Sequence, residues 1–194
     1  KEVLQLDKKF RKIERICLDS PKSLWDAKVN RLKSMNRILL VCGQNQPIDP
    51  EEKKLIEQFI EKYNCVAITD HLSNFYSDKA ILSLPILRQY DNEKFNEFLY
   101  ADIVLTIGGR RMLNDAILPR LRAQKKPLGH WRVAEDGLVA DTYKKMSNVF
   151  ECSSYHFFKY FVENAGDIKN NGVYYNAWKN AENSCVNTEH TDKY

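Results

Sequence analysis

The chain has 194 residues, 43% hydrophobic and 29% charged, a balance suited to one globular domain with a real core. Its net charge of +4 is modest and scattered, so composition gives no case for a nucleic-acid partner. No apolar run approaches the length of a membrane span, and no signal-peptide pattern is visible.

The sequence opens on Lys1 rather than Met, as expected of a processed or excised product. Residues 10 to 18 alternate charged and apolar types, as a short strand would. Asp19-Ser-Pro21 is a good helix start, and Leu24, Trp25, Lys28, Val29 and Leu32 follow at helical spacing. Arg37 to Cys42 reads as a strand and Gln44 to Pro47 as a loop. Asp49-Pro50-Glu-Glu52 starts a helix with a carboxylate-rich first turn facing the helix dipole, and Leu55, Ile56, Phe59, Ile60 and Tyr63 share one face. Cys65 to Thr69 is the next strand, and Asp70 to Ala80 is loop-like. Ile81 to Leu87 and Glu93 to Leu99 read as short helices. A strand at Ile103 to Ile107 leads into a helical segment, Met112 to Gln124, ended by Lys126-Pro127. Gly129 to Val133 and Val149 to Cys152 read as further strands, and Tyr155 to Val162 as an aromatic-rich helix.

Strand and helix thus alternate about five times. This predicts an α/β fold: an open, doubly wound (Rossmann-like), mostly parallel sheet with helices on both faces and right-handed crossovers. Residues 1–36 read as a segment leading into the domain and 37–165 as its body. Residues 166–194 are polar and asparagine-rich, and read as an exit linker with one possible helix carrying Tyr174, Tyr175 and Trp178.

The best candidate site is the end of the strand Asp102-Ile-Val-Leu-Thr-Ile-Gly-Gly109. Glycines there let a ligand approach backbone N–H groups, and Arg110 and Arg111 could hold a carboxylate or phosphate. The alternative is a tight turn with solvated arginines. Gly43 ends an earlier strand in the same way. No Gly-x-Gly-x-x-Gly fingerprint supports a nicotinamide or flavin cofactor. In Asp70-His-Leu-Ser-Asn74, His71 and Ser73 invite a nucleophile, but no elbow motif or orienting acid accompanies them. A loop that bonds itself or lines a cleft, with Ser73 and Asn74 as candidate contacts, is the simpler reading. His130 reads as structural and Trp131 as core or interface. The four histidines have no metal-ligand spacing. The dispersed cysteines, five in number and with no Cys-x-x-Cys pair, fit a reduced, cytoplasmic setting; Cys17, Cys42 and Cys65 read as core. Tyr155 to Phe161 could form an interaction surface, although its rings suit a core. Glu135-Asp-Gly137 and Asn170-Asn171 do not make the Gly-Asp-Gly and Asn-Asn cofactor motif: the leading glycine is missing and the gap is too long.

Several pieces together resemble the central domain of thiamine diphosphate-dependent enzymes, and among them the menaquinone-pathway synthases that make 2-succinyl-5-enolpyruvyl-6-hydroxy-3-cyclohexene-1-carboxylate. They are Arg37 to Gln44, His71 to Asn74, Ala101 to Gly109, His130 to Val133 and Asp136 to Thr142. The resemblance implies a fragment of a three-domain, homo-oligomeric chain whose outer domains are its partners. Those outer domains bind thiamine diphosphate and Mg²⁺; the central one carries no cofactor and no catalytic residue. It further implies a parent that decarboxylates 2-oxoglutarate and adds the product to isochorismate. At Leu113-Asn-Asp115 the chain departs from the Ser-Lys-Arg-like run of that branch, and Arg110 or Arg111 could compensate. Another thiamine diphosphate-dependent 2-oxo acid decarboxylase, or a free-standing nucleotide- or anion-binding module, remains the alternative.

Overall fold

The computed structural model describes residues 11–109, 116–124 and 129–191, with side chains as far as Cys185. Arg110, Arg111, the Leu113-Asn-Asp115 run and Lys126-Pro127 lie outside the described residues.

Among the described residues seven parallel strands form one open sheet in the order β1-β7-β6-β5-β2-β3-β4. They are β1 Glu14–Cys17, β2 Ile38–Cys42, β3 Val66–Thr69, β4 Ile81–Leu82, β5 Ile103–Ile107, β6 Gly129–Val133 and β7 Met146–Glu151. Every residue of β2 is buried, as befits a central strand covered on both faces. One face packs on α1 (Lys22–Lys33), α2 (Pro50–Tyr63) and α6 (Ser154–Glu163). The other packs on α3 (Ser83–Gln89), α4 (Asn92–Leu99), α5 (Ile117–Ala123) and α7 (Val173–Thr191). Alternate strand residues divide between the two cores: Ile38, Leu40 and Cys42 go to the first, Leu39 and Val41 to the second. The doubly wound α/β architecture expected from the sequence is therefore the observed one.

Local chemistry sets the boundaries. Asp49 caps α2 by accepting from the Glu51 N–H at 2.8 Å, Pro50 occupies its first turn, and Asn64 ends it with φ 47°. The acid ahead of β5 has a structural use. Asp102 Oδ2 accepts from the N–H groups of Asn36 and Arg37, 3.0 Å each, and ties the starts of β5 and β2 together. β7 begins three residues before the expected Val149, because Asp141 Oδ1 accepts from the N–H groups of Lys145 and Met146 and fixes the turn into the strand.

Two readings need correction. Ile81 and Leu82 are not helical; they pair with Ile68 and Thr69 as an edge strand, and the helix starts only at Ser83. Pro85 then sits in the first helical turn, where no N–H is needed. Cys17, read as core, is half-buried because β1 is a sheet edge; Cys42 and Cys65 are buried as expected. The possible exit helix is α7, 19 residues long, with Tyr174, Trp178, Ala181 and Cys185 buried along one stripe. Tyr174 Oη and Trp178 Nε1 both donate to Phe98 O, at 2.8 and 3.2 Å. At β4 and just ahead of it three α7 side chains meet the backbone: Tyr175 Oη donates to Lys79 O, Lys179 Nζ donates to Ala80 O, and Glu182 accepts from the Leu82 N–H of the strand.

Candidate functional site

From β2 the chain proceeds to β3 and β4 on one side, and from β5 to β6 and β7 on the other. The connections leaving β2 and β5 therefore diverge, which in open α/β sheets marks the ligand crevice. Here the two loops meet backbone to backbone. Gly43 N–H donates to Ile107 O at 3.0 Å, and Gly109 N–H donates to Gln44 O at 2.6 Å. A Cβ on Gly43 would collide with the Gly109 carbonyl, and one on Gly108, whose φ is 72°, would lie 2.8 Å from Gln44 O. These glycines are present because the loops touch. Two of the N–H groups that the sequence offered to an anion, those of Gly43 and Gly109, are engaged within the fold.

Beside this contact lies a cleft of about 560 Å³, lined by Gln44, Gly108 and Gly109 together with Arg132, Glu135 and Ser154. Arg132, from β6, is 8% exposed. Its guanidinium forks onto Asp136, with Nη2 to Oδ2 at 2.8 Å, and Nη1 also donates to Leu138 O at 2.9 Å. The charge is thus paired, and the pair fixes the β6–β7 loop. Ser154 binds Glu52 across the first turns of α6 and α2, and Ser153 caps α6 through His156 N at 3.2 Å. Cys152 also lines the cleft, but burial pushes its thiol up to about 12, so it stays protonated. Sequence reasoning did not select Arg132, Glu52 or Ser154, since nothing in the linear order of β6, α2 and α6 shows that they converge.

The other sequence candidates divide as follows. Ser73 is fully buried in a single 3-10 turn; its hydroxyl bonds Thr69 Oγ1 and donates to Asp70 O at 2.7 Å. Asn74 adopts φ 50° and donates from Nδ2 to Asn45 O at 2.7 Å, while Asn45 N–H donates to Leu72 O. Ser73 thus holds the β3 loop together, Asn74 pins it to the β2 loop, and neither is among the residues lining the 560 Å³ cleft. His130 is buried, with Nε2 3.0 Å from Thr106 Oγ1, and burial lowers its pKa to about 4. Trp131 is core, as are Phe157, Phe158 and Phe161 of the aromatic segment. Among the described residues no three His, Cys, Asp or Glu side chains are grouped to hold a metal ion. No helix among them is long and apolar enough to cross a membrane. A larger groove, about 870 Å³, opens between α4 and α7, where Arg37 stacks against Tyr100 and Tyr174 at 5.0 and 4.7 Å. It lies at the N-terminal ends of the strands, away from the switch point.

No family model matches the chain. Among curated proteins it is similar to 2-succinyl-5-enolpyruvyl-6-hydroxy-3-cyclohexene-1-carboxylate synthases. With that of Phocaeicola vulgatus it shares 27% identity over 135 residues, covering 66% of this chain and 23% of the synthase. With that of Bacteroides fragilis the identity is 26% over 140 residues, covering 69% and 24%. With that of Flavobacterium psychrophilum it is 26% over 183 residues, covering 91% and 30%. The chain thus spans between 23% and 30% of the length of these relatives, and its similarity to them runs through most of its own length.

Proposed function

We propose that the chain is the central, non-catalytic domain of a thiamine diphosphate-dependent transferase of menaquinone biosynthesis, whose parent decarboxylates 2-oxoglutarate and adds the product to isochorismate. The carrying observation is the similarity to three named synthases over up to 91% of this chain but at most 30% of theirs. The doubly wound sheet supports it, since such a domain needs a rigid frame between its neighbours. The switch-point cleft is the surface it would lend to the parent's active site, with Gly108 and Gly109 at its wall and Arg110 and Arg111 following. Ser73 and Asn74 would support that wall through the loop they hold.

The residues present do not fit the diphosphate and Mg²⁺ end of the cofactor. Asp136 is bound by Arg132 and by Leu138 N–H. Asn170 is at the other end of the sheet, donating to Tyr63 O at 2.9 Å and Asn36 O at 3.3 Å. In this reading both ligands belong to the outer domains, and the working enzyme is an oligomer in the cytoplasm.

The test has two parts. An antibody raised to this segment should detect an endogenous polypeptide of about three domains, at roughly 150–200 residues each. That polypeptide should convert 2-oxoglutarate and isochorismate when given thiamine diphosphate and Mg²⁺. A cellular band near 22.7 kDa, or low-micromolar binding of thiamine diphosphate by the isolated domain in calorimetry, would overturn the reading.

A further inference from the structure

Behind the Gly108-Gly109 wall lies a second, much smaller space of about 30 Å³, roughly enough for one or two water-sized groups. Thr106, Arg132, Thr142 and Tyr143 line it together with the glycine backbone. It shares Gly108, Gly109 and Arg132 with the larger cleft.

Tyr143 is 6% exposed, and its hydroxyl has no hydrogen-bond partner among the described residues. The hydroxyl is not among the fully enclosed polar atoms that lack a partner, so it meets open space rather than packed side chains. Its ring is fixed edge-on against His130, with centroids 4.9 Å apart. Thr106 completes the set. His130 is neutral by burial, and its Nδ1 has no partner among the described residues. The less costly tautomer keeps the proton on Nε2 and leaves only a lone pair unmet at Nδ1. Nε2–H then donates to Thr106 Oγ1, and the threonine hydrogen is left to point elsewhere. Arg132 can only donate. Its Nη atoms serve Asp136 and Leu138 O, and Nε makes no hydrogen bond with a described residue. Two hydroxyl donors and a guanidinium edge thus surround a space too small for a nucleotide or a sugar.

The geometry points to a socket for a single hydrogen-bond acceptor: an anionic oxygen or halide held by Tyr143, Thr106 and Arg132 at the switch point. The shared chemistry is a compact anion, either free or as one carboxylate end of a ligand whose remainder lies in the outer cleft. The inference rests on the cavity and does not depend on the proposed parent reaction.

The test uses the full chain that carries this domain, with Tyr143→Phe and Thr106→Val. Thermal melts are recorded at matched ionic strength in bromide, formate and succinate, so that each variant cancels the general salt effect. A specific occupant raises the wild-type Tm in a saturable way. Both variants should need at least about tenfold more anion for the same rise. Bromide and formate acting alike identify a free small anion, and crystals grown in bromide then show it beside Tyr143. Succinate acting alone identifies the carboxylate of a longer ligand. Should Tyr143→Phe fail to fold, Thr106→Val carries the comparison. Equal shifts in wild type and variants, or no saturable shift with any of the three, would show that the space holds only water.

Discussion

Gly43→Ala is the sharpest probe of the switch-point contact. The new Cβ would overlap the Gly109 carbonyl oxygen and sit 3.0 Å from its carbon, both backbone atoms with no rotamer to escape into. Relief requires the two loops to part, which breaks Gly43 N–H to Ile107 O and Gly109 N–H to Gln44 O. Each lost bond costs about 1 kcal/mol net, and about 1–3 if a group is left unsatisfied. Overpacking a fixed site adds about 1–3 kcal/mol. The lower entropy of the unfolded alanine chain offsets about 0.4–1 kcal/mol. The expected loss is about 3–5 kcal/mol, a large share of the roughly 5–15 kcal/mol typical of a domain. Gly129→Ala is the control. Its Cβ would meet nothing nearer than 3.6 Å, so stability should change by no more than about 1 kcal/mol. Urea denaturation separates them: Gly43→Ala should lower the midpoint by about 2 M with an unchanged slope. A loss below about 1 kcal/mol, or one equal to that of Gly129→Ala, would refute the claim that glycine is required by loop contact.

Three further outcomes are expected. Trp178→Ala should cost about 3–5 kcal/mol in urea melts, because a fully buried ring and its bond to Phe98 O are lost, whereas Val173→Ala at the 65% exposed start of the same helix should be near neutral; similar losses would mean α7 does not dock as described. His130 has a folded pKa of about 4 against an ordinary 6.5, so the unfolded state takes up more protons between those values. Stability should be complete above about pH 6.5, fall as pH drops through 4, and lose up to about 3 kcal/mol, a slope that His130→Gln should flatten. Ellman's reagent should label half-buried Cys17 first in the native chain, since burial raises the thiols of Cys42, Cys65 and Cys152; rapid labelling of several thiols would contradict the packing.

Much of the frame is legible in the sequence because buried parallel strands carry unbroken apolar runs. Ile38 to Cys42 and Ile103 to Ile107 are such runs, and their glycine ends locate the switch point. Where tertiary pairing decides, local pattern fails. Ile81 and Leu82 suit a helix or a strand, and only the exposed edge of β3 makes them a strand. In α7 the asparagines conceal a stripe at 174, 178, 181 and 185, although that spacing was the available signal. Part of the site was hidden for a different reason. Gly108 and Gly109 advertise themselves by type, but Arg132, Tyr143 and Glu52 gain meaning only from strand order.

The grip of α7 on β4 bears on how this domain could be handled or broken. The terminal strand of a sheet presents unpaired amide and carbonyl groups, a template for adding strands from other molecules. Glu182 occupies the Leu82 amide, and Lys179 and Tyr175 hold the Ala80 and Lys79 carbonyls just ahead of the strand, so the helix acts as a stopper over this margin of the sheet. A protease cut in the stretch ahead of Val173 would therefore do more than shorten the chain: it would release the stopper, and the cleaved protein should self-associate through its uncovered margin.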